Sequence, residues 1–227
     1  MNLLVIGDNH NDIENMLTFL DKLKGFNFDV IVYTGDFTDV NVRKGFSQED
    51  IAKIILEELK MLGKPVVAVP GNNDNFGIVD LIEKEGISIH GKGKIINNVG
   101  FYGYGGARTP FRTQIEPSET ELKEGLEKAW KDVVNAKMKI QVTHAPPINT
   151  RVDLTAGGVH AGSEVVRSFI NEKKPIVAVS GHIHESRGTD WYGETFLINP
   201  GRLSEGYFGL VTIIDNQVTG KVLNLIQ

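Results

Sequence analysis

The sequence contains no cysteine, which excludes disulfide scaffolds, thiolate zinc sites and cysteine nucleophiles. It also lacks an excess of basic residues, since the formal net charge is −5 and the isoelectric point is about 5.7. A dedicated nucleic-acid binder needs a broad cationic surface, so the charge balance argues against that class. The N-terminal apolar run is too short for a signal peptide or a membrane span. We therefore expect a cytoplasmic protein without membrane partners.

The composition is that of a globular protein. Hydrophobic residues make up 41% of the 227 residues, which is enough apolar material for a substantial core. The chain shows no linker, internal repeat or low-complexity segment. We therefore expect a single domain over residues 1–227.

The N-terminal half alternates short apolar runs with amphipathic patterns. Strands are predicted at residues 3–6, 30–34 and 66–69, because each is a continuous apolar run that ends in turn residues. A helix is predicted from Ile13 to Leu20, and a second begins after Ser47, which forms a predicted capping box with Asp50. This order is typical of parallel strands joined by helices.

The C-terminal half has a different pattern. A hairpin is predicted at 94–97 and 99–104, followed by a long helix that Ser118 and Glu121 cap. Strands are predicted at 139–143 and 176–180, with a helix at 163–172 between them. A β-meander at 194–199, 207–214 and 217–225 is expected to close the chain.

Five predicted strands end in residues of the types that bind metals. In chain order, these residues are Asp8 and His10, Asp36, Asn72, His144, and His182 with His184. The carboxyl ends of neighbouring strands in α/β sheets converge on one crevice. In extended backbone, residues at i and i+2 point to the same side, so the first and last pairs would each form a clamp. We expect the seven side chains to meet in one site.

Imidazole and carboxylate groups suit Mn, Fe, Co, Ni and Zn. Seven ligands are too many for one cation and are about the number that two cations need. Two such cations lie about 3.5–4 Å apart and can share a carboxylate ligand. Asp36 is the expected shared carboxylate. Taken singly, each motif has a simpler interpretation: Gly-Asp and Gly-Asn pairs form ordinary turns, and two histidines can be a buried hydrogen-bonded pair. Five motifs in order, each at the end of its own strand, favour the metal site.

These ordered motifs resemble the signature of the calcineurin-like metallophosphoesterases. The motifs are Asp8-x-His10, Gly35-Asp36-x-x-Asp39, Gly71-Asn72-Asn73-Asp74, His144 and Gly181-His182-Ile183-His184. The resemblance implies an α/β fold, a four-layer α-β-β-α sandwich with two mixed β-sheets. It also implies a dimetal site at the edge of the sheets, in a single metallophosphoesterase domain over residues 1–227.

The resemblance further implies a role for each ligand. The first cation would be held by Asp8, His10, Asp36 and His184. The second would be held by Asp36, Asn72, His144 and His182, with Asp36 as the bridge. Asp36, Asn72 and His144 are the predicted catalytic residues, whereas Asp39 and Asp74 are expected to support ligands.

One position departs from the family pattern. Many members have a histidine where this sequence has Asn73, and that histidine assists the leaving group. An amide cannot act as a general acid, so rates should depend steeply on the leaving group unless His160 replaces the acid. Asn73, Arg108 and His160 are the predicted substrate-contacting residues, although arginines and loop histidines are also common on protein surfaces.

The predicted reaction is hydrolysis of a small phosphoester by in-line attack of a metal-bridging hydroxide. We expect a phosphodiester substrate first and a phosphomonoester second. The expected cofactors are two divalent cations, either Mn, Fe, Zn, Ni or Co. The first alternative is a non-catalytic metal-binding interaction scaffold of the same fold, like the retromer subunit that resembles these enzymes. A nuclease with a basic groove and a single-metal hydrolase are further alternatives. The sequence leaves the oligomeric state open.

Overall fold

The structure, a computed structural model, describes residues 1–226, so Gln227 of the predicted domain lies outside it. None of the helices in this part of the chain is long and apolar enough to cross a membrane. The elements in chain order are β1 (Asn2–Ile6), α1 (Ile13–Leu23), β2 (Val30–Tyr33), α2 (Gln48–Met61), β3 (Val66–Ala68), α3 (Phe76–Lys84), β4 (Lys92–Ile96), β5 (Val99–Tyr104), α4 (Glu119–Val133), β6 (Met138–Thr143), α5 (Glu164–Lys173), β7 (Val177–Val179), β8 (Gly188–Tyr192), β9 (Thr195–Asn199), β10 (Tyr207–Ile214) and β11 (Gln217–Asn224).

The strands form two mixed sheets. The five-stranded sheet has the order β11-β10-β1-β2-β3, in which β1, β2 and β3 are parallel while β10 and β11 are antiparallel to their neighbours. The six-stranded sheet has the order β4-β5-β6-β7-β9-β8, with four parallel strands between two antiparallel edge strands.

Three apolar cores hold the layers together. In β1, Leu4 and Ile6 face the core formed with α1, α2 and α3, whereas Leu3 and Val5 face the core between the sheets. This division follows because successive side chains of a strand point to opposite faces. The third core lies between the six-stranded sheet and helices α4 and α5. The layer order is helix, sheet, sheet, helix, which confirms the predicted four-layer sandwich.

Local signals predict the helix starts well and the edge elements poorly. Both predicted capping boxes are present, at Ser47 for α2 and Ser118 for α4. The sequence prediction lacks α3, a helix of nine residues that buries only Ile78 and Ile82 and exposes 69% of Phe76. It also lacks β8, an edge strand whose residues are all partly or fully exposed.

The three predicted C-terminal strands are present and the last two pair as an antiparallel hairpin, but the three do not form one β-meander. β9 pairs with β7 and β8 in the six-stranded sheet, whereas β10 and β11 belong to the other sheet. After β9 the backbone turns at Gly201, where φ is 78°, and forms a short 3₁₀-helix at Leu203–Glu205. This segment carries the chain from one sheet to the other, so three apolar strands in sequence do not form one sheet.

Candidate metal centre

The loops that follow β1, β2, β3, β6 and β7 meet at one edge of the sandwich. The Asp8 N–H donates to Gly35 O at 2.9 Å, which joins the first two loops. The Gly181 N–H donates to His144 O at 3.1 Å, which joins the last two. The His182 N–H donates to Asp8 Oδ1 at 3.2 Å and so connects the two sheets. The predicted convergence of strand ends therefore involves both sheets.

Residues of both predicted clamps leave extended backbone, so the i, i+2 explanation for the two clamps is wrong. The φ angle is 52° at Asp8, 51° at His10, 51° at Asp36 and 69° at His182. Left-handed backbone at a residue other than glycine costs about 1–3 kcal/mol and persists where the surrounding structure enforces it. The side chains meet because the chain turns sharply after each strand.

Three donor atoms form the first group. His184 Nε2 lies 3.1 Å from Asp8 Oδ1 and 3.1 Å from His10 Nε2. His10 Nε2 lies 3.9 Å from Asp8 Oδ1. Three atoms with these separations share a point about 2 Å from each of them, which is the usual bond length from such donors to zinc. They could hold one divalent cation.

A second group contains His144, Asn72 and Asp36, all of them buried. His144 Nε2 lies 2.9 Å from Asn72 Oδ1 and 3.4 Å from Asp36 Oδ2. The amide nitrogen of Asn72 donates to Thr113 Oγ1 at 3.1 Å. Asn72 Oδ1 therefore faces His144, and an amide oxygen, a carboxylate and an imidazole are available to a second cation.

Asp36 connects the two groups. Its Oδ2 lies 3.4 Å from His144 Nε2 and 3.6 Å from His10 Nε2. Asn73 donates to both oxygens at 2.8 Å, from its main-chain N–H to Oδ1 and from its Nδ2 to Oδ2. One carboxylate oxygen thus lies between histidines of the two groups, the arrangement required of a bridging ligand.

The ring of His182 lies beside the second group. The ring centroids of His182 and His144 are 5.1 Å apart, and within residues 1–226 the ring nitrogens of His182 form no hydrogen bond. Burial and the nearby His144 lower the pKa of His182 to about 4. The imidazole is therefore neutral at pH 7, with a free lone pair, which is the form that binds metals.

Asp8 and Asp36 are buried carboxylates without a lysine or arginine partner. Their side chains are 0% and 1% exposed, and in the described part of the chain they form ion pairs with histidines alone. Burial by itself raises the pKa of a carboxyl group, but His184 lowers the pKa of Asp8 and His144 lowers the pKa of Asp36. Buried charges require paired charges or a metal, so the donor set fits divalent cations.

The outer nitrogens of two histidines are fixed by neighbours. His10 Nδ1 lies 2.5 Å from Asp39 Oδ1, and His144 Nδ1 lies 2.8 Å from the carbonyl oxygen of Thr34. Such contacts orient a ligand imidazole and select its tautomer. Asp39 is in its expected supporting position. Sequence reasoning missed Thr34, because a contact through a main-chain carbonyl leaves no signal in the residue type.

A protein-family model described as calcineurin-like phosphoesterase matches residues 1–186. This chain belongs to the calcineurin-like phosphoesterases. The match confirms the family that the five motifs indicate. A member of this family is a metal-dependent phosphoesterase, and the donor groups described above are its candidate metal site.

The chain is also similar to other proteins and to solved structures. An uncharacterized protein of Methanocaldococcus jannaschii is 35% identical over 179 residues, which are 76% of this chain and 77% of that protein. A Thermus thermophilus crystal structure covers 98% of each chain at 18% identity with a TM-score of 0.75. A dimetal phosphatase from Danio rerio matches 99% of this chain and 98% of its own at 13% identity, with a TM-score of 0.65. The two structures establish a shared fold.

The three predicted substrate-contacting residues of this phosphoesterase have different surroundings. Asn73 contacts the predicted ligand Asp36. Arg108 is exposed in the loop after β5, and it forms no ion pair with the described residues. His160 lies in the loop between β6 and α5, where its Nδ1 is 2.7 Å from Oδ1 of the buried Asp153. Asp153 is a neighbour that sequence reasoning missed.

We expect Gly71→Ala to damage the metal centre. A Cβ atom at Gly71 would lie 2.0 Å from Asp36 Oδ1 and 2.2 Å from Asp36 N, so Asp36 must move. The variant should lose more than about 1 kcal/mol in the free energy of unfolding and bind metal roughly tenfold or more weakly, measured by urea denaturation and calorimetric titration. Gly157→Ala is the matched control, because its nearest atom is 3.9 Å away. Wild-type metal binding in Gly71→Ala would contradict this account.

The metal-free protein should lose stability as the pH rises from 6.5 to about 9. Burial alone would lower the pKa of His144, but Asp36 and Asp8 raise it to about 9, from an ordinary value of 6.5. Burial would likewise lower the pKa of His10, which its carboxylate neighbours raise. Protonated His144 therefore stabilises the fold below pH 6.5, and this contribution disappears as the pH passes the folded-state pKa. The loss is on the order of 3 kcal/mol.

Urea denaturation with chelator across this pH range measures the effect. His144→Gln should flatten the dependence. His90→Gln should leave it unchanged, because burial lowers the pKa of His90 to about 4 and the residue stays neutral throughout. A wild-type unfolding free energy that stays constant between pH 6.5 and 9 would show that the carboxylates do not hold a proton on His144.

Proposed function

We propose that this chain is a dimetal phosphoesterase that hydrolyses phosphodiesters by in-line attack of hydroxide on phosphorus. The observation that carries the proposal is the position of Asp36 Oδ2, 3.4 Å from His144 Nε2 and 3.6 Å from His10 Nε2. The proposed ligands of the first cation are Asp8, His10, Asp36 and His184, and those of the second are Asp36, Asn72, His144 and His182. The cations are Mn, Fe, Co, Ni or Zn, which suit imidazole and carboxylate donors.

Charge balance supports phosphodiesters over phosphomonoesters. Two divalent cations, when bound, make water a nucleophile near neutral pH and neutralise charge on phosphoryl oxygens. The four positive charges of these cations exceed the two negative charges of Asp8 and Asp36 by two. A diester monoanion and one hydroxide match that excess, whereas a monoester dianion with hydroxide exceeds it. In the described chain no lysine or arginine pairs with either carboxylate, so no such side chain adds to this positive excess beside Asp8 and Asp36.

Asn73 positions Asp36 and cannot protonate a leaving group. Its main-chain N–H and its Nδ2 each donate to one oxygen of Asp36 at 2.8 Å. The side chain is therefore committed to the carboxylate, and an amide is not an acid near neutral pH. The proton for a poor leaving group must come from another residue.

We propose that His160 donates this proton to the leaving group. Asp153, which is buried, lies 2.7 Å from His160 Nδ1 and leaves Nε2 as the free ring nitrogen. The loop is attached beside the centre, because the Ala156 N–H donates to Glu185 Oε1 at 2.8 Å, next to the proposed ligand His184. A histidine with one nitrogen held by a buried carboxylate is suited to acid–base catalysis.

Arg108 is the proposed contact for a phosphoryl oxygen. Its guanidinium group is exposed and forms no ion pair with the described residues. A guanidinium group can donate two parallel hydrogen bonds to a phosphate.

The first test of the function is metal dependence. Hydrolysis of an aryl phosphodiester should stop with chelator and return with Mn²⁺. The kcat of the Asp36→Asn variant should be roughly tenfold or more lower than the kcat of the His10→Gln variant, because Asp36 contacts both donor groups and His10 belongs to one. Steady-state kinetics with elemental analysis of each variant measures this. Asp80→Asn, on the exposed face of α3, should match the wild type.

Full activity of exhaustively metal-free protein would refute the proposal. Equal rates and metal contents in Asp36→Asn and His10→Gln would remove Asp36 from the bridging role. Metal binding without hydrolysis of any phosphoester would instead support a non-catalytic scaffold.

The second test is a leaving-group series. With His160 as the acid, the wild-type rate should depend only weakly on leaving-group pKa. His160→Ala should slow alkyl esters about 10²–10³-fold and leave nitrophenyl esters nearly unchanged, because nitrophenolate departs without a proton. The nitrophenyl ester is thus the internal control. A steep dependence in the wild type would show that no acid replaces Asn73, and a shallow one in both proteins would assign the proton to another group.

A further inference from the structure

The loop at residues 109–116 holds Asn72 at both its main chain and its side chain. The N–H groups of Gln114 and Ile115 donate to the Asn72 carbonyl oxygen at 2.9 and 3.0 Å. Thr113 Oγ1 accepts a hydrogen bond from Asn72 Nδ2 at 3.1 Å. The loop therefore controls both the position of this residue and the rotation of its amide.

Behind Thr113 lies the carboxylate of Glu116. Glu116 Oε1 accepts hydrogen bonds from Thr113 Oγ1 at 2.7 Å, from the Thr113 N–H at 2.5 Å and from Thr109 Oγ1 at 2.7 Å. Partial burial alone would raise the pKa of Glu116, but the hydrogen bonds from Thr109 and Thr113 outweigh it and the pKa is lowered. Glu116 is therefore an anion at neutral pH.

The negative charge of Glu116 determines the direction of two hydrogen bonds, the one between Thr113 and Glu116 and the one between Asn72 and Thr113. A carboxylate can only accept, so the single proton of the Thr113 hydroxyl is directed to Glu116. The hydroxyl oxygen is then left as an acceptor, and the Asn72 group that meets it must be the NH₂. Asn72 Oδ1 is consequently turned towards His144 Nε2, 2.9 Å away.

We propose that Glu116 and Thr113 are positioning residues that set the amide orientation of Asn72 and thereby the affinity of the second metal site. The inference rests on the proposed ligand role of Asn72. A flipped amide would present NH₂ to the cation, and an amide nitrogen is not a metal ligand in that form. The carboxylate also polarises the hydrogen-bonded amide, so that Oδ1 becomes a stronger electron-pair donor to a cation.

The main experiment is calorimetric titration of the metal-depleted full chain with Mn²⁺. Thr113→Val replaces the hydroxyl with a methyl group of the same size. The second Mn²⁺ should bind about 10–100-fold more weakly in this variant, while the first site should stay within about twofold of the wild type. Thr113→Ser keeps the hydroxyl and should restore the second site.

Thr109→Val is the matched control. It removes another hydroxyl that donates to the same oxygen of Glu116, but it leaves the contact with Asn72 intact. Second-site affinity should therefore stay within about twofold of the wild type.

An Asn72→Asp background isolates the orientation itself. A carboxylate presents oxygen on both sides, so it has no wrong rotation. In this background, Thr113→Val should change second-site affinity by less than about threefold, compared with about 10–100-fold in the Asn72 protein.

Three results would overturn the inference. Wild-type affinity at the second site of a folded Thr113→Val protein would overturn it and leave the proposed function standing. An equal loss in Thr109→Val would show that general loop stability, and not amide rotation, is responsible. A wild-type protein that binds no second cation would overturn the proposed function together with this inference.

Discussion

Asp8 and Asp36 are buried where the two sheets meet, and within residues 1–226 histidines alone pair with them. An ionised carboxylate loses several kcal/mol of hydration when it is buried, and this loss requires a compensating positive charge. In the metal-free protein, protonation of His144 supplies such a charge, since the carboxylates raise its pKa to about 9. Divalent cations would supply it in the active protein, so protons and metals compete for the same place.

The fold brings these carboxylates together through close backbone approach. Asp36 has a left-handed backbone, with φ at 51°, and Gly35 before it has φ at 104°. A Cβ atom at Gly35 would lie 2.4 Å from the backbone nitrogen of Gly71, so the loops after β2 and β3 touch where neither residue has a side chain. The strain in these loops is offset by the packed sheets beneath them.

Much of this arrangement follows from the sequence, because apolar runs mark the buried strands and the residues after them belong to metal-binding types. The convergence of the candidate ligands and both capping boxes were predictable in this way, whereas the four layers were predicted from the resemblance to the family. The left-handed backbone at Asp8 was not, since it depends on hydrogen bonds between distant loops. The Thr34 carbonyl and the Glu116–Thr113 contact were not predictable either, because they depend on main-chain placement and on a loop without regular structure. The sequence also did not predict that the chain passes from one sheet to the other after β9, because tertiary packing decides which strands pair.

Anomalous diffraction from crystals grown with Mn²⁺ would locate the cations relative to Asp36. Two anomalous peaks are expected, about 3.5–4 Å apart on either side of Asp36 Oδ2. One peak should lie within bonding distance of Asp8, His10 and His184, and the other should contact Asn72. A single peak, or two peaks without Asp36 between them, would contradict the bridging role of Asp36.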